Sequence, residues 1–486
     1  RTAMNDAKKA AIQTIDDHAA LFCDVSRKIW EYAELSLKEF QSAALYEKVL
    51  AENGFAVTSN MGGIKTAFCG SWGHGHPVIG ILGEFDALSG LSQQAGCTHH
   101  APLIPGGSGH GCGHNLLGAG SLAAAFAVKA YLEQHPEQEG TVIFFGCPGE
   151  EGGAGKAFLA RDHVWEHLDA AVTWHPSDVN EVASGTCVSC IQKEFHFHGV
   201  ASHASGTPHL GRSALDAVEL MNIGVQFLRE HMPTTARIHY AITDAGGKSP
   251  NVVQPEAKVL YMVRDVQVAQ AIALQKRVDQ IAKAAAMMTE TTVTEQFIDG
   301  TANTVPNAVL EKVAYDNFEA LGVVKHSDEE MQLAQAYIDS YEAKSDRVPG
   351  FASAESPEIA AYVKKMTDNG KLPINDFLMP LHHSMKSGAG STDVGDVSWQ
   401  TPTVQVHTAC WPSGAPGHSW QNVSCGATSI AEKSMLQAGK VMAGTVIDLL
   451  TKPDVLGAAK AEFKEAAAAG YTCPIPPDAV PVAIED

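Results

Sequence analysis

The sequence predicts an α/β fold in which helices flank a central mixed, mostly parallel sheet, with an inserted α+β domain. In the first third of the chain, short continuous apolar runs alternate with helical segments, as is typical of buried parallel strands. From about Ile191 the pattern changes to the polar–apolar alternation of half-exposed antiparallel strands. The length of 486 residues exceeds what one ordinary domain needs, so two domains are expected.

The first third supplies the elements of the main sheet. Amphipathic periodicity predicts helices over residues 16–30 and 37–53, the second ended by Gly54. A glycine-rich turn then opens an alanine-rich helix over 116–132. Apolar runs predict core strands, including one late in the chain, over 77–82, 141–145, 170–174 and 403–406.

The middle of the chain predicts a separate sheet with two helices on one face. Its expected elements are strand 193–198, helix 213–230, strands 236–243 and 257–264, helix 268–288 and strand 291–297. We therefore divide the chain into a main domain, first part, over 1–189, an inserted domain over 190–302, and the main domain, second part, over 303–486. His196 and His198 share one face of the first inserted strand and are expected to be partly exposed. The polar stretch 344–371 is expected to be irregular, and the sequence assigns it no role.

Composition narrows the class of partner and the compartment. A formal net charge of −21 makes nucleic acids and anionic membranes poor partners. No uninterrupted apolar run approaches the roughly 18 residues of a membrane span. Ten scattered cysteines are typical of reduced thiols, which favours the cytoplasm. The sequence begins at Arg1 without an initiator methionine, so a removed export signal would instead indicate the periplasm.

The glycine-rich segment 109–115 carries a thiol, Cys112, and an imidazole, His114, two residues apart. Side chains at this spacing converge on one metal ion only if the backbone bends tightly, which the flanking glycines permit. Further donors follow predicted strands or lie in a late loop, at Glu150, Glu151, His175 and His418. Ligands in open α/β sheets bind outside the carboxyl ends of strands. This dispersed set indicates a catalytic metal site, because a structural zinc site uses four close ligands.

Each candidate also has an ordinary interpretation. Adjacent glutamates are usually solvated, but a glycine turn after a buried strand favours one as a metal ligand and the other as a general base. His175 alone would suit a core histidine. Asp86 is either a helix cap or an acceptor that orients a ligand imidazole. The chain has no Gly-x-Ser-x-Gly or Walker motif, so serine hydrolases and nucleotide enzymes lack their signatures.

With these motifs assembled, the chain resembles the co-catalytic metallopeptidase family that includes carboxypeptidase G, aminoacylase, hippurate hydrolase and auxin-conjugate hydrolases. The Cys-Gly-His motif is typical of its amidohydrolase branch. The similarity runs over nearly the whole chain and is carried by GEFDALSGLSQQAGC (83–97), GHGCGHNLLG (109–118), CPGEEGG (147–153), HLGRSALDAV (209–218) and STDVGDVSW (391–399). It implies a zinc-peptidase-like catalytic domain, an inserted dimerisation or lid domain, and two divalent metal ions per subunit, zinc or manganese.

The resemblance also implies roles for single residues. The implied metal ligands are Cys112, His114, Glu151, His175 and His418. Glu150 falls on the general base, with Asp86 beside it as the acceptor that supports catalysis. Where the wider clan has a histidine ligand in His-x-Asp, this chain has Glu84-Phe-Asp86, so metal binding has moved to the Cys112/His114 pair.

On the inserted domain, His203 falls on a histidine that in relatives reaches into the partner subunit's active site and polarises the scissile carbonyl. Asn251 and Arg264 match positions that bind the substrate's α-carboxylate. An arginine fork suits a planar carboxylate, although Arg264 alone would equally suit a strand-end salt bridge.

The expected function is metal-dependent hydrolysis of the amide bond of an N-acyl or N-aroyl amino acid. An aroyl-glutamate such as p-aminobenzoyl-glutamate is the first candidate, with p-aminobenzoate and glutamate as products. Alternatives are another conjugate, such as indoleacetyl-aspartate or a hippurate-like amide, and a silent subunit that supports a homologous catalytic partner. The expected assembly is a homodimer or a heteromer with a homologous subunit.

Overall fold

A computed structural model of the chain describes residues 4–343, 348–388 and 390–483, and it confirms the α/β class. Its strands are β1 (Ala56–Thr58), β2 (Phe68–His74), β3 (Val78–Glu84), β4 (Gly140–Cys147), β5 (Ala170–Ser177), β6 (Glu181–Val182), β7 (Ser189–His198), β8 (Arg237–Asp244), β9 (Glu256–Asp265), β10 (Thr292–Thr301) and β11 (Thr403–Ala409). Its α-helices are α1 (Asp6–Asp17), α2 (Ala19–Tyr32), α3 (Phe40–Glu52), α4 (His114–Gln134), α5 (Gly155–Arg161), α6 (Ala214–Leu228), α7 (Val268–Thr289), α8 (Ala308–Leu321), α9 (Asp328–Asp339), α10 (Phe351–Glu355), α11 (Pro357–Met366), α12 (Val394–Ser398), α13 (Trp420–Cys425), α14 (Ser429–Thr451) and α15 (Pro453–Ala466).

The main sheet has seven strands in the order β1-β2-β4-β3-β5-β11-β6. Its centre is parallel, because β4, β3, β5 and β11 run in the same direction. The outer strands β1, β2 and β6 are antiparallel to their neighbours, so the sheet is mixed as predicted. The four parallel strands therefore end at one edge of the sheet. That edge lies beside the start of α4.

Helix α4 is the central core helix and packs against β3 and the helices α1, α2 and α14. In the described part of the chain it alone is long and apolar enough to span a membrane. However, 83% of that apolar window is buried within the protein. The indole of Trp174 on β5 donates a hydrogen bond of 2.9 Å to the Leu117 carbonyl in its first turn. Strand β5 thus fixes the end of α4 that carries His114.

The second sheet is antiparallel throughout, in the order β10-β7-β9-β8, and spans residues 189–301. Helices α6 and α7 cover one face, where they bury Phe195 and Phe197 of β7 and Tyr261 of β9. The opposite face carries the polar residues that alternate with these aromatic residues. The division into an inserted domain and two parts of a main domain stays a prediction.

The secondary structure differs from the prediction in two places. The helix predicted over 16–30 is observed as α2, which begins at Ala19, and it is preceded by a separate helix, α1, that Asn5 caps and that ends at Asp17. The stretch expected to be irregular, 344–371, contains α10 and α11, and its residues 344–347 lie outside the described residues. Helix α11 forms because Ser356 caps it, Pro357 starts it and an apolar stripe buries Ile359 and Val363.

Candidate metal centre and active site

The turn before α4 brings Cys112 and His114 together. Gly113 is the N-cap of α4 and has φ +71°, a conformation that disfavours residues with a Cβ. A Cβ at Gly113 would also lie 2.7 Å from the Trp411 ring. The thiol and imidazole converge with His175 of β5, so that three donor atoms lie within 4.8 Å of one another. Cys112 Sγ lies 3.4 Å from His175 Nε2.

A second glycine turn, after β4, presents the paired glutamates. Gly149 has φ +69°, and its amide donates a 2.8 Å hydrogen bond to the buried carboxylate of Glu39. From this turn Glu150 Oε2 lies 3.9 Å and Glu151 Oε1 3.6 Å from His114 Nε2. Both carboxylates of the predicted pair therefore face the same imidazole.

Hydrogen bonds at Nδ1 fix both His114 and His175 so that Nε2 faces the cluster. His114 Nδ1 donates to Asp86 Oδ1 at 2.9 Å, and His175 Nδ1 donates to the Pro176 carbonyl at 2.7 Å. In the neutral ring this arrangement places the lone pair on Nε2, the state in which imidazole binds a metal. The sequence left Asp86 as either a helix cap or an acceptor that orients a ligand imidazole, and this geometry matches the acceptor.

Asp86 is itself held from several sides. Ser36 Oγ and the Glu151 amide donate to Asp86 Oδ2 at 2.8 and 2.9 Å. Burial alone would raise the pKa of the Asp86 carboxyl, but the charge and hydrogen bond of His114, together with these two donors, lower that pKa to about 2. The aspartate is thus a fixed anion behind the imidazole.

His418 approaches from the loop before α13. Its Nε2 lies 3.7 Å from Glu151 Oε1, and its backbone has φ +51°, an uncommon conformation for a residue other than glycine. Cys112, Glu151 and His418 form a second group of donors within 4.8 Å of one another. His418 is half-exposed, whereas His114 is fully buried. The cluster is therefore closed on the protein side and open towards solvent at His418.

These residues fit a metal centre. His114 Nε2, Glu84 Oε1 and Glu151 Oε1 are buried and have no hydrogen-bond partner within the described residues. Buried polar atoms without partners are rare because each costs free energy. Three such atoms that face one another, next to a thiol and further imidazoles, are the donor set of a divalent transition metal.

The sequence alone did not identify the buried ion pairs beneath this cluster. Lys156 of α5 donates to Glu84 Oε2 at 2.7 Å and to Asp393 Oδ1 at 2.9 Å, and all three side chains are buried. The free Glu84 Oε1 lies 3.2 Å from His114 Nε2. Glu84 therefore lies beside the cluster, although it is not among the predicted metal ligands. Asp393 lies in the quoted STDVGDVSW motif, and only the apolar neighbours of Lys156 hinted at its burial.

Electrostatics around the paired glutamates favour a bound cation. Burial, followed by the charges of Glu151 and Glu84, raises the pKa of the Glu150 carboxyl well above its ordinary value. Burial and the Glu151 charge likewise raise the pKa of the Cys112 thiol. A divalent cation in this position offsets the repulsion and lowers both pKa values. Without a cation, the negative charges of these closely spaced acidic groups repel one another.

The three predicted residues of the inserted sheet region lie apart from this cluster. His203 and Asn251 are exposed and adjacent, since the Ala204 amide donates to the Asn251 carbonyl at 3.0 Å. Arg264 of β9 donates from Nη1 to Ser391 Oγ at 2.7 Å. Within the described residues, no hydrogen bond or ion pair joins these three to the predicted metal ligands, and Arg264 forms no salt bridge.

His203 is nonetheless oriented as a donor. Its Nδ1 accepts hydrogen bonds from the Ser205 and Gly206 amides at 3.1 and 2.9 Å. Because Nδ1 accepts, the proton of the neutral ring lies on Nε2. The exposed edge of His203 thus carries an N–H that can donate to a carbonyl oxygen.

Comparisons with known proteins agree with this geometry. The model of the peptidase family M20/M25/M40 matches residues 80–448. The chain is 43% identical over 466 residues to a subunit of p-aminobenzoyl-glutamate hydrolase from Escherichia coli K12, covering 95% of each chain. It is 27% identical to the Xaa-Arg dipeptidase of Mus musculus, covering 94% of this chain and 92% of that one.

Solved structures show the same fold. An aminobenzoyl-glutamate utilization protein from Klebsiella pneumoniae superposes with a TM-score of 0.58 at 15% identity, covering 90% of this chain and 97% of the other. A dinuclear metal-binding M20 peptidase from Bacillus subtilis superposes with a TM-score of 0.54 at 17% identity, covering 90% and 99%. On the family match and the 43% identical relative, the chain belongs to the peptidase family M20/M25/M40 and is a metal-dependent amidohydrolase or peptidase.

Proposed function

We propose that the protein hydrolyses the amide bond of p-aminobenzoyl-glutamate to p-aminobenzoate and glutamate, with two zinc or manganese ions at the cluster. The observation that carries the proposal is the convergence of unpaired buried donors around His114, in a chain 43% identical to a p-aminobenzoyl-glutamate hydrolase subunit. The proposed ligands are Cys112, His114, Glu151, His175 and His418. A bound divalent ion polarises a carbonyl and makes water acidic enough to attack at neutral pH.

Glu150 is the proposed general base. Its carboxylate faces the ligand cluster without a hydrogen-bonded partner side chain among the described residues, and it lies 3.9 Å from His114 Nε2. It would take the proton of the attacking water and return it to the amide nitrogen as the C–N bond breaks. Asp86 supports this step by holding His114, and through the Glu151 amide it also holds the turn that carries Glu150.

The proposed substrate contacts come from the inserted sheet region. Arg264 would bind the α-carboxylate of the glutamate product through its guanidinium fork, with Asn251 from the other subunit of the assembly as a second donor. His203 would donate its Nε2 proton to the carbonyl oxygen as negative charge develops there. Since His203 and Asn251 make no hydrogen bond or ion pair with this chain's own cluster in the described residues, we propose that they serve the active site of a partner subunit.

The first test measures glutamate release from p-aminobenzoyl-glutamate by purified protein loaded with zinc or manganese. Glu150→Gln removes the base while it keeps the size of the side chain. We expect kcat to fall about 10²–10⁴-fold with unchanged metal stoichiometry. Glu137→Gln, at an exposed position before β4, is the control and should match wild type. Equal activity in Glu150→Gln and wild type would rule out the assigned base.

The substrate is tested with a panel of conjugates under the same conditions. Two relatives are named as an indole-3-acetyl-aspartic acid hydrolase and an Xaa-Arg dipeptidase, so these two kinds of amide are the alternative substrates to test. A higher kcat/KM for either would replace the aroyl-glutamate assignment. Turnover that appears only with a homologous second subunit, and that Glu150→Gln in this chain leaves unchanged, would support the alternative of a silent subunit.

We propose that the inserted sheet region mediates assembly with a second copy of the chain or with a homologous subunit. Strand β8 is an edge strand with mostly exposed residues, including Tyr240 and Ile242. On the helical side, Phe227 and Met287 are 74% and 80% exposed. Exposed apolar residues beside a free strand edge are typical of protein interfaces. Phe227→Glu should lower the mass measured by light scattering if this surface forms the dimer.

Subunit mixing tests the shared active site. Glu150→Gln and His203→Ala homodimers are each expected to be nearly inactive. In a mixed dimer, the His203→Ala chain keeps its own Glu150 and receives His203 of the partner subunit. One site per mixed dimer is therefore complete, and activity should return on mixing. No recovery under conditions where mass spectrometry detects subunit exchange would place His203 in its own chain's site or outside catalysis.

We further propose a cytoplasmic location, with the periplasm as the alternative. The ten cysteines are all free, which suits a reducing compartment. Fractionation of cells followed by immunoblotting tests this proposal. Enrichment in a periplasmic extract would overturn it.

A further inference from the structure

Three potential metal ligands lie together on the inserted sheet, away from the cluster at α4. Phe195 and Phe197 of β7 point into the core beneath α6 and α7, so His196 and His198 point to the opposite face. In the register between β7 and β9, His198 lies directly opposite Glu256. Strand pairing itself therefore assembles two imidazoles and a carboxylate on one open surface.

The ring nitrogens converge on a single oxygen. Glu256 Oε2 lies 2.5 Å from His196 Nε2 and 2.9 Å from His198 Nδ1, and the two ring centroids are 4.0 Å apart. The three donor atoms lie within 4.8 Å of one another. The histidine side chains are only 30% and 34% exposed, so the sheet orders them while one side stays open to water. This geometry offers three protein ligands and room for a solvent ligand.

A neighbouring strand fixes the tautomer of His198. Its Nε2 lies 3.1 Å from Thr294 Oγ1 of β10, and that hydroxyl is directed at the His196 carbonyl at 3.5 Å. Because the hydroxyl donates to the carbonyl, it accepts the N–H of His198 Nε2. The lone pair of His198 is then on Nδ1, the atom that faces Glu256. A hydrogen bond on the far nitrogen is how proteins orient histidine ligands.

We propose that His196, His198 and Glu256 form a separate binding site for a divalent transition metal of the zinc type. Two imidazoles and a carboxylate are a borderline-soft donor set that suits zinc and not magnesium or calcium. Lys258, which lies opposite His196 in the register of β7 and β9, is directed towards Glu194, with their charged atoms 4.0 Å apart. Glu256 and Arg264 are eight positions apart on β9, about 26 Å along a strand, so the site is distinct from Arg264.

A bound ion would link β7 to β9 and stabilise the inserted sheet by an amount that rises with the free metal concentration. The direct test is the number of zinc ions per chain after equilibration with buffered zinc, measured by mass spectrometry of the metal and by amino-acid analysis. His196→Gln and His198→Gln should each hold one zinc fewer per chain than wild type. His239→Gln, an exposed histidine on β8, is the matched control and should hold the wild-type number.

Cobalt substitution separates this site from the cluster at α4. Cobalt bound beside Cys112 gives a thiolate charge-transfer band, whereas the inserted-sheet site has no sulfur ligand. His198→Gln should therefore keep that band and lose only one cobalt equivalent. An unchanged metal count in both histidine variants would overturn the proposal and leave the three side chains as a hydrogen-bonded ion pair. This outcome does not depend on the proposed hydrolytic function.

Discussion

Lys156 provides the sharpest test of how the metal centre is built. Its ammonium is fully buried and contacts two buried carboxylates, Glu84 and Asp393. Burial alone would lower the pKa of Lys156, but the charges of Asp393 and Glu84 raise it well above its ordinary value. Lys156→Met keeps most of the side-chain volume and removes the cation. Two carboxylates are then left buried without their counterion.

The expected cost is large compared with the stability of a typical domain. Removing one partner of a buried ion pair destabilises a protein by about 3–5 kcal/mol, and here one cation serves two pairs. Total unfolding free energies are about 5–15 kcal/mol. We expect urea unfolding of metal-free Lys156→Met to show a loss of at least about 3 kcal/mol. With metal bound the loss should be smaller, because Glu84 Oε1 lies 3.2 Å from His114 Nε2 and gains a second cation nearby.

Two further variants distinguish the cost of uncompensated buried charge from the cost of losing any lysine ion pair. Lys460→Met removes a half-exposed lysine paired with Asp169, and it should cost under about 1 kcal/mol. Adding Asp393→Asn to Lys156→Met removes one of the two buried charges that lack a counterion, and it should recover part of the lost unfolding free energy. A metal-free Lys156→Met within about 1 kcal/mol of wild type, or a double variant less stable than the single one, would refute the reasoning.

Other predictions concern the supports of the site and the wider fold. Asp86→Asn removes the anion behind His114 and should weaken metal affinity about 10–100-fold in calorimetric titration, whereas equal affinity would contradict the orienting role. Gly113→Ala should cost about 1–3 kcal/mol in thermal or urea unfolding, because φ is +71° and the new Cβ meets Trp411; an unchanged midpoint would show that the turn relaxes freely. Burial would raise the pKa of Glu330, but hydrogen bonds from Lys433, the Ser327 amide and Ser429 lower it to about 2 from 4.5. Because the folded-state pKa is depressed, this stabilisation is present above pH 4.5 and is lost as the pH falls towards 2. Glu330→Gln should therefore be less stable than wild type by about 2 kcal/mol at pH 7, with the gap closing over that window in urea titrations; a pH-independent gap would contradict the assignment.

Much of the fold and the cluster could be predicted because the signals are local. A thiol and an imidazole flanked by glycines define the start of α4, and donors placed after apolar runs indicate the carboxyl edge of a parallel sheet. The missing parts depend on contacts between distant segments. Lys156 resembles any lysine in a short helix until Asp393, 237 residues away, is seen beside it. Arg264 likewise contacts Ser391, which is 127 residues away in the sequence, and no periodic pattern of residues predicts that contact.

The hydrogen bond between Arg264 and Ser391 has a thermodynamic consequence. Ser391, which accepts the hydrogen bond from Arg264, is two residues before Asp393. Asp393 and Glu84 both accept hydrogen bonds from Lys156, and Glu84 lies beside His114. A carboxylate ligand that draws Arg264 away from Ser391 releases one anchor of this segment. The affinity for substrate and the affinity for metal are then coupled. Such coupling is reciprocal, so the factor by which a bound ion changes the affinity for product is also the factor by which bound product changes the affinity for the ion. Glutamate should therefore change the equilibrium affinity for metal, measured in competition with a chelator.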